Sequence, residues 1–497
     1  MQREKFLTGL TAVIGFLTLA VVLAYHRAVD GDLWARLAVG AEFFQHHDVW
    51  RHDVFAFTPT LPQWIDHEWG AGVIFFALLK WFGPGALLLF KIGTAWAALG
   101  VCLAAARLNG ARSAVILLLA IPCALAMLPG FVPVIRSHVF TYLFFGGLLC
   151  GLELIRAGRS WPAFGIVPLL LVWVNVHGGF VVGLGVIAVY AVFVPAARTT
   201  LLITLLGCLA ISCVNPYGSQ FWTYLIPALL HPRTDITEWA PMPLWGTWRS
   251  DPYLGFPLLF VIAVVVVVAG RKHGSWLALT MLVVTAVFAW RSRRHAPFFG
   301  LAAAVYLAPY LDGLLARKFP WQIPALLIHG ALAVFVCVKF LPVIALAPVA
   351  RPEFYPVRAV EILAEAKVAG HLAVPFRWGS YAAWRLYPRI HVDIDGRYEE
   401  TYPETTFTMN RDFYYKGGAD WDRLLRNHRV DFIIVETRAT RVTLADLRER
   451  SYELVWADAA SALLARREWV PGLRAGLHRL PATTSEPLDP HIPDAWW

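Results

Sequence analysis

The sequence predicts a polytopic α-helical membrane protein of about eleven transmembrane helices over residues 1–350, followed by a soluble α/β domain over 351–497. Two observations carry this. The chain is 58% hydrophobic and only 15% charged, whereas an ordinary soluble domain carries about 25% charge. The charge is also unevenly placed. Of the 77 Lys, Arg, Asp and Glu residues, 41 fall in residues 351–497 and 36 in residues 1–350. A long charge-poor region suits the bilayer and a short charge-rich one suits water.

The first region holds 23 basic and 13 acidic residues, a net +10 that accounts for the +9 of the whole chain. Lys and Arg beside membrane helices set topology, which explains the excess without a nucleic-acid partner. All six cysteines (Cys102, Cys123, Cys150, Cys208, Cys213 and Cys337) lie in apolar stretches without CxxC or zinc spacing, so neither disulfides nor structural zinc are expected.

The N-terminus, QREKFLTGLTAVIGFLTLAVVLAYH, has a basic start and an apolar core too long for a signal peptide. No small-residue cleavage site follows, so it reads as an uncleaved first span. At about 20 apolar residues per crossing, the spans fall near 6–27, 84–106, 113–130, 138–155, 161–175, 178–196, 199–214, 253–270, 275–290, 296–314 and 321–345. The stretch 69–82, WGAGVIFFALLKWF, is too short to cross and reads as an interfacial helix. That choice gathers the basic loops 107–112, 156–159, 271–274 and 316–318 on the N-terminal side, as the positive-inside rule requires.

With eleven crossings, the segments 28–83, 215–252 and 346–497 fall on the outer side. Ten of the 13 acidic residues of the first region lie in the first two of these. Arg136 and the group Arg291, Arg293 and Arg294 break the trend by standing on the outer face. An anion is the natural reason for a basic residue there.

The candidate site residues follow from this topology. Asp30 and Asp32 precede a run in which Leu33, Trp34, Leu37, Val39 and Ala41 are expected to face lipid, as in a juxtamembrane helix. Helix capping accounts for one of the two carboxylates. Asp66, His67 and Glu68 form a second acidic cluster at the head of the 69–82 helix. A carboxylate at such a membrane surface can serve as general base toward an acceptor hydroxyl or amine. WRSRRHAPFFG (290–300) brings His295 beside three arginines able to clamp a phosphate; snorkelling toward headgroups is the simpler reading. Arg136 and His138, in VIRSHVF, are candidates for the same task. His177, in VNVHGGF, sits at an outer helix end, where such a histidine is more often a packing residue.

The charge-rich region mixes a helix (VRAVEILAEAKVAG) with short strands: HLAVPF, IHVDID, DFIIVE, YELVWAD and SALLAR. DIDGRYEETY (393–402) places Asp393, Asp395, Arg397 and Glu399 just beyond a strand, a favoured binding position in α/β sheets. The competing reading is a surface turn with solvated charges. The end of the chain, ATTSEPLDPHIPDAWW, is proline-rich and reads as extended. No nucleotide loop, HExxH or supported GxSxG is present. No motif names a cofactor with certainty, and a divalent metal stays open. Asp30, Asp32, His67 and Glu68 have the ligand chemistry for a divalent metal, at a spacing that selects none.

DGDLWARLAVG, HDVFAFT, WIDHEWGAG, VNVHGGF, NPYG, RRHAPFF and DIDGRYE together resemble the GT-C superfamily of membrane glycosyltransferases. Its members include protein O-mannosyltransferases and lipid A aminoarabinose transferases. The resemblance implies transfer of a sugar from a polyprenyl-phosphate donor to a glycan, lipid or protein acceptor of the cell envelope. It places the chain in the bacterial inner membrane with the C-terminal domain outside. It implies Asp30 or Asp32 as general base, with Asp30 favoured by its position four residues before Trp34. Asp66 and Glu68 would shape the site, and Arg136, Arg291, Arg293 and Arg294 would hold the lipid phosphate. The alternative is a non-catalytic binding module or a transporter. Transporters concentrate ionisable groups near the midplane, whereas this chain keeps nearly all its charges at span ends.

Overall fold

The computed structural model describes residues 2–25, 29–131, 135–230, 237–243, 254–315, 319–480 and 493. The basic loop at 316–318, Asp235, Asp251 and all of the proline-rich end except Pro493 lie outside the described residues. The chain forms two compact units, Met1–Arg27 with Leu88–Leu346, and Ala28–Leu87 with Ala347–Trp497.

The first unit is helical. Each of the eleven apolar stretches read from the sequence carries a helix, from Gln2–Ala24 to Gln322–Phe340. Among the described residues, five helices are long and apolar enough to cross a bilayer: Gln2–Ala24, Pro84–Leu108, Ser113–Gly130, His138–Arg156 and Gln322–Val343. The others are shorter or broken. Phe180–Phe193 and Pro195–Ile211 meet at 113°, and Arg293–Tyr306 meets Ala308–Leu314 at 47°. Pro162–Val176, Gly255–Ala269 and Trp276–Arg291 have 15 or 16 residues, about 22–24 Å at the helical rise.

Charge inside this unit is paired. Glu153, 1% exposed, accepts from Arg156 Nε at 2.9 Å and Nη2 at 2.7 Å. It also accepts from the Tyr190 hydroxyl, which meets the Tyr306 hydroxyl at 2.5 Å. The group ties His138–Arg156, Phe180–Phe193 and Ala296–Tyr306 together. A lone carboxylate in an apolar medium would be costly without such partners.

The second unit joins residues 28–87 to the C-terminal region. Its five strands are β1 (Gly370–Ala373), β2 (Ile390–Val392), β3 (Phe432–Glu436), β4 (Tyr452–Ala457) and β5 (Ser461–Arg466), in the order β2-β1-β3-β5-β4. The β1–β2 and β1–β3 pairs are parallel, and β5 runs antiparallel to β3 and β4. All five strands read from the sequence are present. Asp458 Oδ1 closes the β4–β5 hairpin by accepting from Ala460 N at 2.7 Å and Ser461 N at 2.6 Å. Phe413, Leu424, Val430, Ile433, Leu447 and Leu464 form the core on one side.

Residues 55–57 cover the β2 edge. Phe57 N donates to Val392 O at 3.0 Å, and Val392 N to Phe55 O at 3.0 Å. Backbone pairing satisfies an edge that would otherwise be open. The helix Gly31–His46 packs on Trp69–Phe82 at very close range: a Cβ on Gly40 would lie 2.2 Å from Gly72 O. Only glycine permits that approach.

This packing corrects one expectation. Leu33, Trp34, Leu37, Val39 and Ala41 do not form a lipid-facing stripe; every residue from Leu33 to Glu42 is buried. Trp34 packs edge-on against Tyr355 and Tyr381, with ring centroids 6.0 and 5.2 Å apart. A helix apolar on nearly all sides is a core helix, and here a second helix and the C-terminal region supply the cover.

Candidate active site

The site residues read from the sequence fall into two groups, one in each unit. In the second unit, Asp30 is the N-cap of Gly31–His46, its Oδ1 accepting from Asp32 N at 3.0 Å. The capping reading thus holds for Asp30. Asp32 stands in the first turn, where a carboxylate also suits the helix dipole. A Cβ on Gly396 would lie 3.9 Å from Asp32 Oδ1, so the DIDGR turn lies beside this carboxylate. Gly396 N in turn donates to Ser380 Oγ at 2.9 Å. Tyr355 donates to Val29 O at 2.6 Å. Burial, with Asp30 and Asp32 nearby, pushes its phenol well above the ordinary range.

A few residues on, Arg36 is buried and pairs with Asp66 and with Glu68, the latter at 3.7 Å. Asp66 Oδ1 also accepts from Glu68 N at 2.9 Å. His67 Nδ1 lies 3.0 Å from Glu400 and its Nε2 3.6 Å from Glu68. Burial works against a charge on His67, but Glu400, Glu68 and Asp66 outweigh it and raise its pKa to about 9. His67 is therefore an imidazolium at neutral pH.

Asp395 and Arg397 are neither a solvated turn nor an open binding surface, which corrects that expectation. Arg397 Nη2 lies 2.5 Å from both Asp53 Oδ1 and Asp395 Oδ2, with all three side chains at most 2% exposed. Its guanidinium stacks 4.6 Å from the Trp64 ring centroid and 4.8 Å from that of Phe55. Tyr402 donates to Asp395 at 3.0 Å. Burial opposes ionisation of Asp395, yet Arg397 holds its pKa below the ordinary carboxylate value. Asp393 has no such cation. Burial lifts it to about 7 despite hydrogen bonds from Val374 N (3.0 Å) and Asn410 Nδ2 (2.7 Å).

In the first unit, Arg136 Nη1 donates to Glu238 Oε2 at 2.6 Å. Arg294 Nη1 lies 4.0 Å from Glu238 Oε1, and its guanidinium sits 4.1 Å over the Trp239 ring. Arg294 Nη2 donates to His138 Nε2. A guanidinium has only donors, so this ring nitrogen accepts. The His138 and His177 rings are 4.6 Å apart. His177 Nδ1 accepts from Gly179 N at 2.8 Å and meets Thr141 Oγ1 at 2.8 Å; Trp173 Nε1 donates to Thr141 at 2.9 Å. His177 is thus locked as a neutral ring. The second glycine of VNVHGGF is required, since a Cβ on Gly179 would come within 2.5 Å of Thr141 Oγ1.

Arg136, His138, His177 and Arg294 therefore come together. Arg291 is exposed, and Arg293 is engaged with the backbone of Ala240 (3.1 Å) and Pro241 (3.3 Å). His295 bonds Phe288 O at 3.3 Å, a packing role. Among the described residues, no three His, Cys, Asp or Glu side chains converge as metal ligands, so Asp30, Asp32, His67 and Glu68 do not form one cage.

Sequence reasoning missed Lys91 and Glu238. Lys91 lies in Pro84–Leu108, 1% exposed. Its neighbour Phe90 packs 5.3 Å from Phe140, in the first turn of the His138–Arg156 helix. A lysine within an apolar run was a legible signal of function. Glu238 lay among three acidic residues of its loop and carried no distinguishing mark.

No protein-family model matches the chain, and no curated protein matches it by sequence. Solved structures do. ArnT from Cupriavidus metallidurans bound to undecaprenyl phosphate superposes with a TM-score of 0.51 at 15% identity, over 93% of this chain and 97% of that one. Its apo form gives 0.51 at 14% identity, over 95% and 98%. The mycobacterial arabinofuranosyltransferase AftD gives 0.55 at 16% identity, over 92% of this chain but only 41% of its own. The likeness to these solved structures is one of fold, along nearly the whole chain.

Proposed function

We propose that this chain is a membrane glycosyltransferase that moves a sugar from a polyprenyl-phosphate donor to a cell-envelope acceptor. The observation that carries it is Asp32 at the opening turn of a rigid, buried helix, in a fold shared with two glycosyltransferases. Asp30 makes the cap, so the helix does not need Asp32, and the role of base passes from Asp30 to Asp32. Asp32 takes the proton of an acceptor hydroxyl as its oxygen attacks the anomeric carbon, and the bond from that carbon to the phosphate oxygen breaks. The lipid phosphate leaves with the electron pair.

Negative charge grows on that phosphate, so fixed cations there favour the transition state more than the ground state. Arg136 and Arg294 are the candidates. The pairing of Arg36 with Asp66 and Glu68, and of His67 with Glu400, holds the two helices that open at Gly31 and Trp69. The working face is the periplasmic one, and the C-terminal region lies on that side.

The test uses the purified full chain with radiolabelled polyprenyl-phosphate sugars and envelope acceptors. Asp32→Asn should lower transfer by about 10²–10⁴-fold, the usual weight of a positioned base, and Asp30→Asn by much less. Full activity in both variants and in the double variant would sink the assignment. Donor binding without transfer by the wild-type chain would favour a binding module instead.

A further inference from the structure

The arginine pair of the first unit is not empty-handed. Glu238, on the short Thr237–Trp239 turn, places one carboxylate oxygen 2.6 Å from Arg136 and the other 4.0 Å from Arg294. Carboxylate and phosphate offer guanidinium the same paired oxygens, and a phosphodiester carries the same single charge. We infer that Glu238 is an internal occupant of a phosphate site formed by Arg136, Arg294 and Trp239, and that a phosphate ester displaces it.

Three features favour displacement over a permanent link. The three charged side chains are partly open, at 23% for Arg136, 17% for Arg294 and 24% for Glu238, unlike a sealed ion pair. The backbone is fastened independently of the carboxylate: Arg293 N donates to Ala240 O at 3.1 Å, Met242 N to Trp290 O at 2.9 Å, and Ser292 Oγ to Glu238 O at 3.3 Å. The side chain can therefore rotate away while the turn stays in place. Arg294 is also held from elsewhere, by Trp239 below and His138 beside it, so it keeps its position when Glu238 leaves.

The inference rests on the phosphate role proposed above and adds self-competition to it. A site occupied by its own carboxylate binds ligand with an apparent affinity reduced by the fraction of time it is open. The test is binding of undecaprenyl phosphate and of inorganic phosphate to the full chain in detergent. If Glu238 holds the arginines nine-tenths of the time, Glu238→Gln should bind about tenfold tighter. Glu238→Asp, one methylene short of Arg136, should gain less. Arg136→Ala should abolish the gain. Tighter binding of both probes assigns recognition to the phosphate alone; tighter binding of the lipid only assigns it to phosphate and prenyl chain together. Wild-type binding with no gain in either Glu238 variant overturns the role of Glu238 and leaves the phosphate role standing. Failure of all the proteins to bind either probe overturns the phosphate role itself.

Discussion

Two charge clusters in this chain use the same residue types and differ in how much water reaches them. Around Arg397, the guanidinium and its partners Asp53 and Asp395 are at most 2% exposed, and aromatic rings flank the cation. Around Arg136 and Arg294, exposure is 17–24% and Arg136 and Arg294 share one carboxylate, Glu238. A sealed pair cannot exchange its partner without exposing a charge to an apolar interior. A half-open one exchanges at little cost, because water and ions screen the step. The first kind joins distant parts of the sequence; the second kind is the one suited to exchanging its partner for a ligand.

The largest expected effect tests the sealed cluster. Arg397→Met leaves Asp53 and Asp395 buried together without a cation. Breaking a buried pair costs about 3–5 kcal/mol, so the unfolding temperature of the full chain should fall steeply. An unchanged unfolding temperature would remove the distinction between the clusters. Next, Arg136→Ala should lower the transfer rate by about 10²–10³-fold, the scale of losing one donor to a charge-developing oxygen. Its unfolding temperature should stay near wild type, the reverse of the Arg397 pattern.

A smaller effect concerns pH. The folded pKa of His67 is raised to about 9 from an ordinary 6.5. A raised pKa means that the folded state holds the proton more tightly. The stabilisation is complete below about pH 6.5 and is lost as pH rises through 9. Thermal unfolding between pH 6.5 and 9.5 should show this decline, and His67→Gln should flatten it. The smallest effect is Arg293→Ala. Its backbone N–H bond to Ala240 O survives the change and only the Nε bond to Pro241 O is lost, so stability should change by about 0.5 kcal/mol or less and lipid-phosphate affinity by less than about twofold.

Much of this architecture is legible in the amino-acid sequence. The five strands of the C-terminal region stand out as short β-branched runs between turn residues, and each is present. Eleven apolar runs became helices. Asp30, Asp32, Asp66, Arg136 and Arg294 are marked by charge at the ends of apolar runs. The Phe376–Leu386 helix (FRWGSYAAWRL) was not legible despite its helical period, since Pro375 before it and Gly379 within it read as breakers. The burial of Arg397 was hidden for a similar reason: a DIDGRYE segment looks like any polar turn until Asp53, 344 positions earlier, is brought to it.

The sequence by itself determined the division between bilayer-suited and water-suited segments, because hydropathy and charge act locally, residue by residue. It determined that one of Asp30 and Asp32 caps a helix, because a cap involves neighbours along the chain, and the structure decided that it is Asp30. Only the tertiary structure decided which charges are partners. Whether an arginine is sealed by aspartates, as Arg397 is, or shares a half-open glutamate, as Arg136 does, depends on burial and on groups a hundred or more residues away. Those set the local dielectric, and the dielectric decides whether an ion pair holds a fold together or waits for a ligand.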